Sequence, residues 1–184
     1  IGWAVGSYGY PSTGKVLRTT NGGSIWSLVD VGTNALYDVH FINANTGWAC
    51  GGYGTIVKTT DGGATWVPQS TPTSYELRSI WFTDANTGWA AGMWGTLLKT
   101  VNGGTTWTLI DGVFSGMVMD LQFMDANTGY AAVDSYGWGW NSPGLYKTVN
   151  GGTSWKRMNN DANAFSIDNV RLSLTPLVHW MGSV

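Results

Sequence analysis

An all-β fold built from small four-stranded antiparallel blades is predicted by three observations. The first is composition: the 184-residue chain holds 12 Trp, 8 Tyr and 27 Gly but a single Glu, Glu76. Helices need Ala, Leu, Glu and Lys on their exposed turns, whereas Gly, Thr, Val and aromatic residues suit short strands joined by tight turns. The second is a repeat, Thr-Thr/Val-Asn/Asp-Gly-Gly-x-x-Trp, found at residues 19–26, 59–66, 100–107 and 148–155. The third is its period, since the closing tryptophans stand 40, 41 and 48 residues apart. Four strands in each ~40–45 residues is the period of a propeller blade. The chain therefore reads as a β-propeller, or part of one, with about four blades. An all-α fold is excluded, and a Rossmann-type α/β fold nearly so.

Each blade is assembled from the same parts in the same order. Matched apolar runs at 36–41, 77–82 and 118–123 supply the first strand. An Asn-Thr-Gly turn at Asn45, Asn86 and Asn127 leads to Gly-Trp/Tyr-Ala, which opens the second strand at Gly47, Gly88 and Gly129, as it does at Gly2. In the clearest repeat the four strands are expected at 77–83, 89–92, 96–100 and 106–110. Met93-Trp94-Gly95 turns the second into the third. Asn102-Gly103-Gly104 closes the last hairpin, because Asn-Gly and Gly-Gly supply the positive φ that tight hairpins require. Counting second-strand motifs gives three complete blades and one partial blade over residues 1–158, the partial one lacking its first strand. Residues 159–184 lose the repeat signature; the alternating stretch 164–172 reads either as a closing inner strand or as the start of a further domain. The pattern as a whole is expected to belong to a longer protein.

Charge and composition narrow the function. The formal net charge is −2, without the clustered positive field that nucleic acid requires. No apolar run approaches the ~20 residues needed to span a bilayer, and no signal peptide is visible. One cysteine, Cys50, permits neither an internal disulfide nor a thiolate metal cluster, and its place in Trp48-Ala49-Cys50-Gly51 suits a buried small hydrophobe. His40 and His179 form no ligand-spaced pair, and the Gly-rich turns lack a following helix or a P-loop Lys. Neither a metal nor a cofactor is expected. Low charge with many Asn and Thr fits an extracytoplasmic location (secreted, cell-surface, periplasmic or lumenal).

The repeated hairpin resembles the Asp-box, or bacterial neuraminidase repeat, Ser/Thr-x-Asp-x-Gly-x-x-Trp, with Asn21, Asp61, Asn102 and Asn150 at the acidic position. Longer stretches, such as 84–90 followed by 95–100, resemble the photosystem II stability/assembly factor propeller family and its secreted bacterial relatives. This likeness runs over residues 1–157 and implies the fold. It also implies that Asp61, Trp26, Trp66, Trp107 and Trp155 close and pack peripheral hairpins and do not form a site. The recurrent cations Arg18, Lys58, Lys99 and Lys147 are expected to snorkel along blade surfaces.

Candidate binding residues come from the turns between second and third strands. Those turns hold Tyr10, Tyr53 and Trp94, and related repeats place a small polar or acidic residue where Tyr53 and Trp94 stand. The long insertion 134–144 adds Tyr136, Trp138 and Trp140. Flat aromatic faces beside Asn, Ser and Asp suit a protein anchor or a sugar ring, so a protein partner or a glycan is expected; packing between blades is the plainer role for Tyr53 and Trp94. Aligning the first strands on Phe41, Phe82 and Phe123 brings Asp38, Ser79 and Asp120 to one position, with His40, Trp81 and Gln122 two residues on and on the same side. Two carboxylates at a channel could act as acid and base in glycoside hydrolysis, as in xyloglucanase-type Asp-box hydrolases. A sialidase would need an arginine cluster that four scattered arginines do not provide. Because the Asp recurs with the repeat, it reads as structural, and no catalytic residue is assigned. The sequence thus favours a non-catalytic scaffold offering an aromatic face to a protein, with a glycan-binding module or a glycoside hydrolase fragment as alternatives.

Overall fold

The computed structural model describes residues 1–8, 12–134 and 143–158. Among these residues, fifteen strands form four antiparallel sheets, which are the blades. The first has three strands, β1 (Gly2–Tyr8), β2 (Thr13–Thr19) and β3 (Ser27–Asn34). The second runs β4 (Leu36–Phe41), β5 (Gly47–Gly51), β6 (Ile56–Thr59) and β7 (Val67–Gln69). The third runs β8 (Leu77–Phe82), β9 (Gly88–Gly92), β10 (Leu97–Thr100) and β11 (Thr108–Leu109). The fourth runs β12 (Met117–Phe123), β13 (Gly129–Asp134), β14 (Gly144–Thr148) and β15 (Lys156–Arg157). In each, the strands pair in chain order as a meander.

In the second and third blades both faces are covered, so the second strand is apolar throughout. Every residue of β5 and of β9 is buried. The core accordingly lies between blades. One cluster joins Val16 of the first blade to Leu36, Ala49 and Val57 of the second; the next joins Trp48, Cys50 and Ile56 to Leu77, Ile80 and Leu98 of the third; the last joins Trp89, Ala91 and Leu97 to Val118, Leu121 and Val133 of the fourth. Stability is thus built from nearest-neighbour interfaces, as in a repeat protein.

Each interface repeats one aromatic stack. Trp3 lies on Phe41, Trp48 on Phe82 and Trp89 on Phe123, with ring centroids 3.6, 3.6 and 3.5 Å apart. Edge-on against each Phe stands the Asp-box tryptophan of its own blade: Trp66, Trp107 or Trp155. The Phe ring also explains the invariant Gly before the second-strand aromatic. A Cβ at Gly47, Gly88 or Gly129 would fall 2.5–2.6 Å from that ring.

The hairpin itself is held by its first and third residues. Thr59 Oγ1 donates to Asp61 Oδ1 (2.8 Å) and accepts from the Gly63 amide (2.9 Å), and Asp61 accepts the Thr65 amide at 2.9 Å. Asn102 does the same work, accepting from the Thr106 amide at 2.9 Å. The second side-chain bond reverses direction: Asp61 accepts from the Thr65 hydroxyl at 2.6 Å, whereas Asn102 and Asn150 donate to the Thr106 and Ser154 hydroxyls, each at 2.9 Å. The bonds to Asp61 hold its carboxyl down at about 2.

The recurrent cations do more than snorkel, which corrects the expectation from sequence. Arg18 Nε and Trp3 Nε1 both donate to the carbonyl of Gly62 in the next blade, at 2.6 and 2.8 Å. Lys58 and Trp48 converge in the same way on Gly103, at 3.0 and 3.1 Å, and Lys99 and Trp89 on Gly151, each at 3.0 Å. The hairpin tip of one blade is therefore clasped by the strands of the blade before it. The sequence misled because the acceptor is a backbone atom roughly 45–60 residues away, invisible to side-chain patterning. Lys147, in the last described blade, lies over the Tyr130 ring at 5.5 Å.

Candidate binding face and the inner-strand carboxylates

The Asp-box hairpins and the β4–β5-type turns share one end of the blades, where Gly62, Gly103 and Gly151 amides donate to the carbonyls of Asn45, Asn86 and Asn127. The turns after β5 and β9 lie at the opposite end. Each is a single 3-10 turn, Gly52–Gly54 and Met93–Gly95, pinned by amides of Gly52 and Met93 to the carbonyls of Ala35 and Glu76.

Tyr53 and Trp94 occupy the middle of these turns, at matching positions. Both adopt left-handed backbone, with φ of 53° and 57°, and are the two non-glycine residues with positive φ among the described residues. Their side chains project outward, 76% and 58% exposed. They do not fill the space between blades, the plainer role considered from sequence. Tyr10, Tyr136, Trp138 and Trp140 lie outside the described residues.

Sequence reasoning missed the neighbours of these aromatics. Beside Tyr53, the Arg78 guanidinium lies over the Tyr37 ring at 4.4 Å and pairs with Glu76 at 2.5 Å. Burial, then the nearby Glu76 charge, raise the Tyr37 hydroxyl above the usual phenol range. Trp94 walls a cleft of about 320 Å³ formed with the connections on either side of the third blade, including Thr73, Tyr75, Asp111 and Phe114. Tyr75 is half exposed there. The chain's only Glu, two residues before an Arg on a strand start, was the one local signal available for the first group. Nothing in the sequence marked the cleft, whose walls come from three separated segments.

The inner-strand carboxylates are tied into the blade junctions. Asp38 Oδ2 accepts the Ile80 amide of the next blade at 2.9 Å, and Asp38 Oδ1 accepts the Val39 amide at 2.8 Å. Ser79 Oγ lies 3.3 Å from Asp38 and 3.0 Å from Asp120, and accepts the Leu121 amide of the fourth blade at 3.2 Å. A β-bulge just ahead of each of these residues turns the side chain toward its neighbour blade. His40 and Trp81 follow along the same strands, with ring centroids 4.3 Å apart. The arrangement is an acceptor–donor–acceptor bridge across three blades.

Cys50 is fully buried with its sulfur 3.4 Å from the Leu77 carbonyl, and burial pushes the thiol well above its ordinary range. Among the described residues, no group of His, Cys, Asp and Glu is placed to hold a metal ion. No helix among them is long and apolar enough to cross a membrane.

Comparison with known proteins places this architecture. The family model of the photosynthesis system II assembly factor YCF48 matches residues 18–175. A structure of YCF48 bound to D1 peptide is 27% identical with a TM-score of 0.57, over 66% of this chain and 39% of that one. YCF48 from Cyanidioschyzon merolae is 21% identical with a TM-score of 0.56, over 79% of this chain and 53% of that one. The GH74 enzyme of Niastella koreensis is 20% identical with a TM-score of 0.67, over 83% of this chain and 27% of that one. The last two are likenesses of fold alone, and the chain spans from about a quarter to about half the length of these structures. No curated protein matches the chain. With most of its length under the family model and the Asp-box hairpins clasped across three successive blade pairs, the chain belongs to the photosynthesis system II assembly factor YCF48 family.

Proposed function

We propose that this chain is a non-catalytic binding module that holds an extended protein segment across the end of the propeller carrying Tyr53 and Trp94. One observation carries the reading: two large aromatics stand exposed in left-handed backbone at the same position of successive blades. That conformation costs a residue with a Cβ about 1 kcal/mol or more. Both rings are more than half exposed among the described residues, so burial offsets that cost only in part. Glycine or Asn would serve the turn better, so the side chains have their use outside the blade. Exposed, conformationally fixed aromatics are the residues that anchor protein partners.

A relative of the same family has been solved with a peptide bound, which supports a peptide segment as the ligand. Tyr10, in the β1–β2 connection, and Tyr136, Trp138 and Trp140, in the β13–β14 connection, lie outside the described residues and join this proposal by chain position alone. Asp38 and Asp120 carry inter-blade hydrogen bonds, so they serve assembly of the fold. An extracytoplasmic location accompanies this role, on the low charge of the chain.

Selection from a random peptide display library tests the reading. The expected result is enriched peptides whose binding quenches tryptophan fluorescence and is lost in Tyr53→Ala and Trp94→Ala, with circular dichroism unchanged. No enrichment, together with saturable binding to a member of a polysaccharide panel, would replace the protein partner by a glycan. Peptide binding indifferent to both substitutions would overturn the assignment of the face.

A further inference from the structure

Strand pairing sets one position of the third blade in register with an ion pair of the first. In the first blade Arg18 faces Ser27, and three residues along the ladder Lys15 faces Asp30. Lys15 Nζ donates to Asp30 Oδ2, while Asp30 Oδ1 accepts the Gly32 amide at 3.0 Å. In the third blade Lys99 faces Thr108. The Ile110 amide then bonds the Leu97 carbonyl at 2.8 Å, so the ladder runs on to bring Thr96 opposite Asp111. Asp111 therefore holds the place of Asp30, and Thr96 that of Lys15. The second blade, in the same register, has the uncharged Thr55 and Ser70 there.

Asp111 is anchored as Asp30 is. Its Oδ1 accepts the amide of a glycine with positive φ, Gly112, at 2.9 Å. Neither ion pair among the described residues includes it, so the cation that Lys15 supplies in the first blade is missing here. The same carboxylate lines the cleft of about 320 Å³ beside Trp94, and it is the one charged group in those walls. Two large aromatics, Trp94 and Tyr75, share the cleft, each more than half exposed. A carboxylate with aromatic rings around it is the chemistry that receives an ammonium or a guanidinium. This molecule pairs cations with rings repeatedly: Lys58 lies 5.0 Å over Trp48, Lys99 5.2 Å over Trp89, and Arg78 4.4 Å over Tyr37. An anionic group would be repelled by Asp111, and an apolar one would cover the carboxylate without giving it a donor.

We infer that this cleft is a subsite for one basic side chain of the bound segment, its cationic head taking on Asp111 the place that Lys15 takes on Asp30 and its methylene stem lying along Trp94 and Tyr75. The inference rests on the peptide-binding reading of this end and adds a charge preference to it. The partner carries a Lys or Arg that meets the third blade, whereas the matching turn of the second blade offers Tyr53 without an acid.

The probes are peptides selected by display on the unaltered chain whose binding is lost in Trp94→Ala. They are expected to share one Lys or Arg. Replacing it by norleucine should weaken binding about 10-fold, the combined effect of an exposed ion pair and a cation–π contact. Asp111→Asn keeps an acceptor for the Gly112 amide, so its urea midpoint should match that of the unaltered chain. It should weaken the basic peptide about 3–5-fold and leave the affinity of the norleucine peptide unchanged, a coupling that a purely structural role for Asp111 does not produce. Asp30→Asn should leave both affinities unchanged. The two ways of failing are distinct. Selected peptides that depend on Trp94 yet share no basic residue, or that bind Asp111→Asn undiminished, would overturn the subsite and leave the face standing. Selection of no peptide that depends on Trp94 would overturn the face and the subsite with it.

Discussion

Ser79→Ala isolates the inner-strand bridge from everything else in the fold. The hydroxyl is buried, accepts the Leu121 amide at 3.2 Å and stands within reach of both Asp38 and Asp120. Its loss strands a buried backbone N–H, which costs about 1–3 kcal/mol, and removes a donor to a carboxylate, worth about 1.5–3 kcal/mol. Asp38 retains the Ile80 and Val39 amides, so the two terms do not add in full. A net loss of about 3 kcal/mol is expected. For a chain of this length, each kcal/mol moves Tm by roughly 2–4 °C, giving a fall of about 6–12 °C. Equilibrium urea unfolding followed by tryptophan fluorescence, with thermal unfolding alongside, reads both numbers at pH 7. A loss below about 1 kcal/mol would refute the reasoning, since the bridge would then contribute nothing beyond an ordinary surface contact.

Three further outcomes follow from the same geometry. Lys99→Met removes a donor to Gly151 and a cation lying 5.2 Å over Trp89; a loss of about 1–2 kcal/mol is expected in the same unfolding assay, and Lys99→Arg should retain most of it, because Arg18 makes the equivalent clasp. Asp61 is depressed to about 2 by its hydrogen bonds to Thr65 and Thr59. Its contribution to stability is therefore fully present above the ordinary carboxylate range near 4 and is lost as pH falls from about 4 toward 2. Asp61→Asn should flatten that part of the acid unfolding curve, and NMR titration of the Asp61 carboxyl should give its depressed midpoint directly. Trp94→Asn exchanges a strained left-handed residue for one that tolerates the conformation; stability should rise by about 0.5–1 kcal/mol in urea while binding of selected peptides is lost.

Much of the fold was legible because each repeat says the same thing several times. Asn45-Thr46-Gly47, Asp61-Gly62-Gly63 and the strand between them would each predict a turn or strand alone; together they set the register. The alignment on Phe41, Phe82 and Phe123 also brought Asp38, Ser79 and Asp120 to one level, as the bridge requires. What stayed hidden were pairings of side chains with distant backbone. The clasp of Lys58 on the Gly103 carbonyl leaves no trace in side-chain patterning, so a cation with a defined partner read as a surface charge. The site divides in the same way. Tyr53 and Trp94 stood out because an aromatic replaced the small residue expected in a turn. Tyr37, Arg78 and Glu76 did not, because their meeting depends on two blades lying side by side.

The central claim is that a partner is held by the end of the propeller carrying Tyr53 and Trp94. The measurement that tests it most directly is a hydrogen-exchange footprint of the chain with and without a peptide selected from the display library. Slowed exchange confined to the turns at residues 52–54 and 93–95 and the adjoining 73–76 and 111–114 is the predicted result. A footprint on the opposite end, over the hairpins at 59–66 and 100–107, would contradict it.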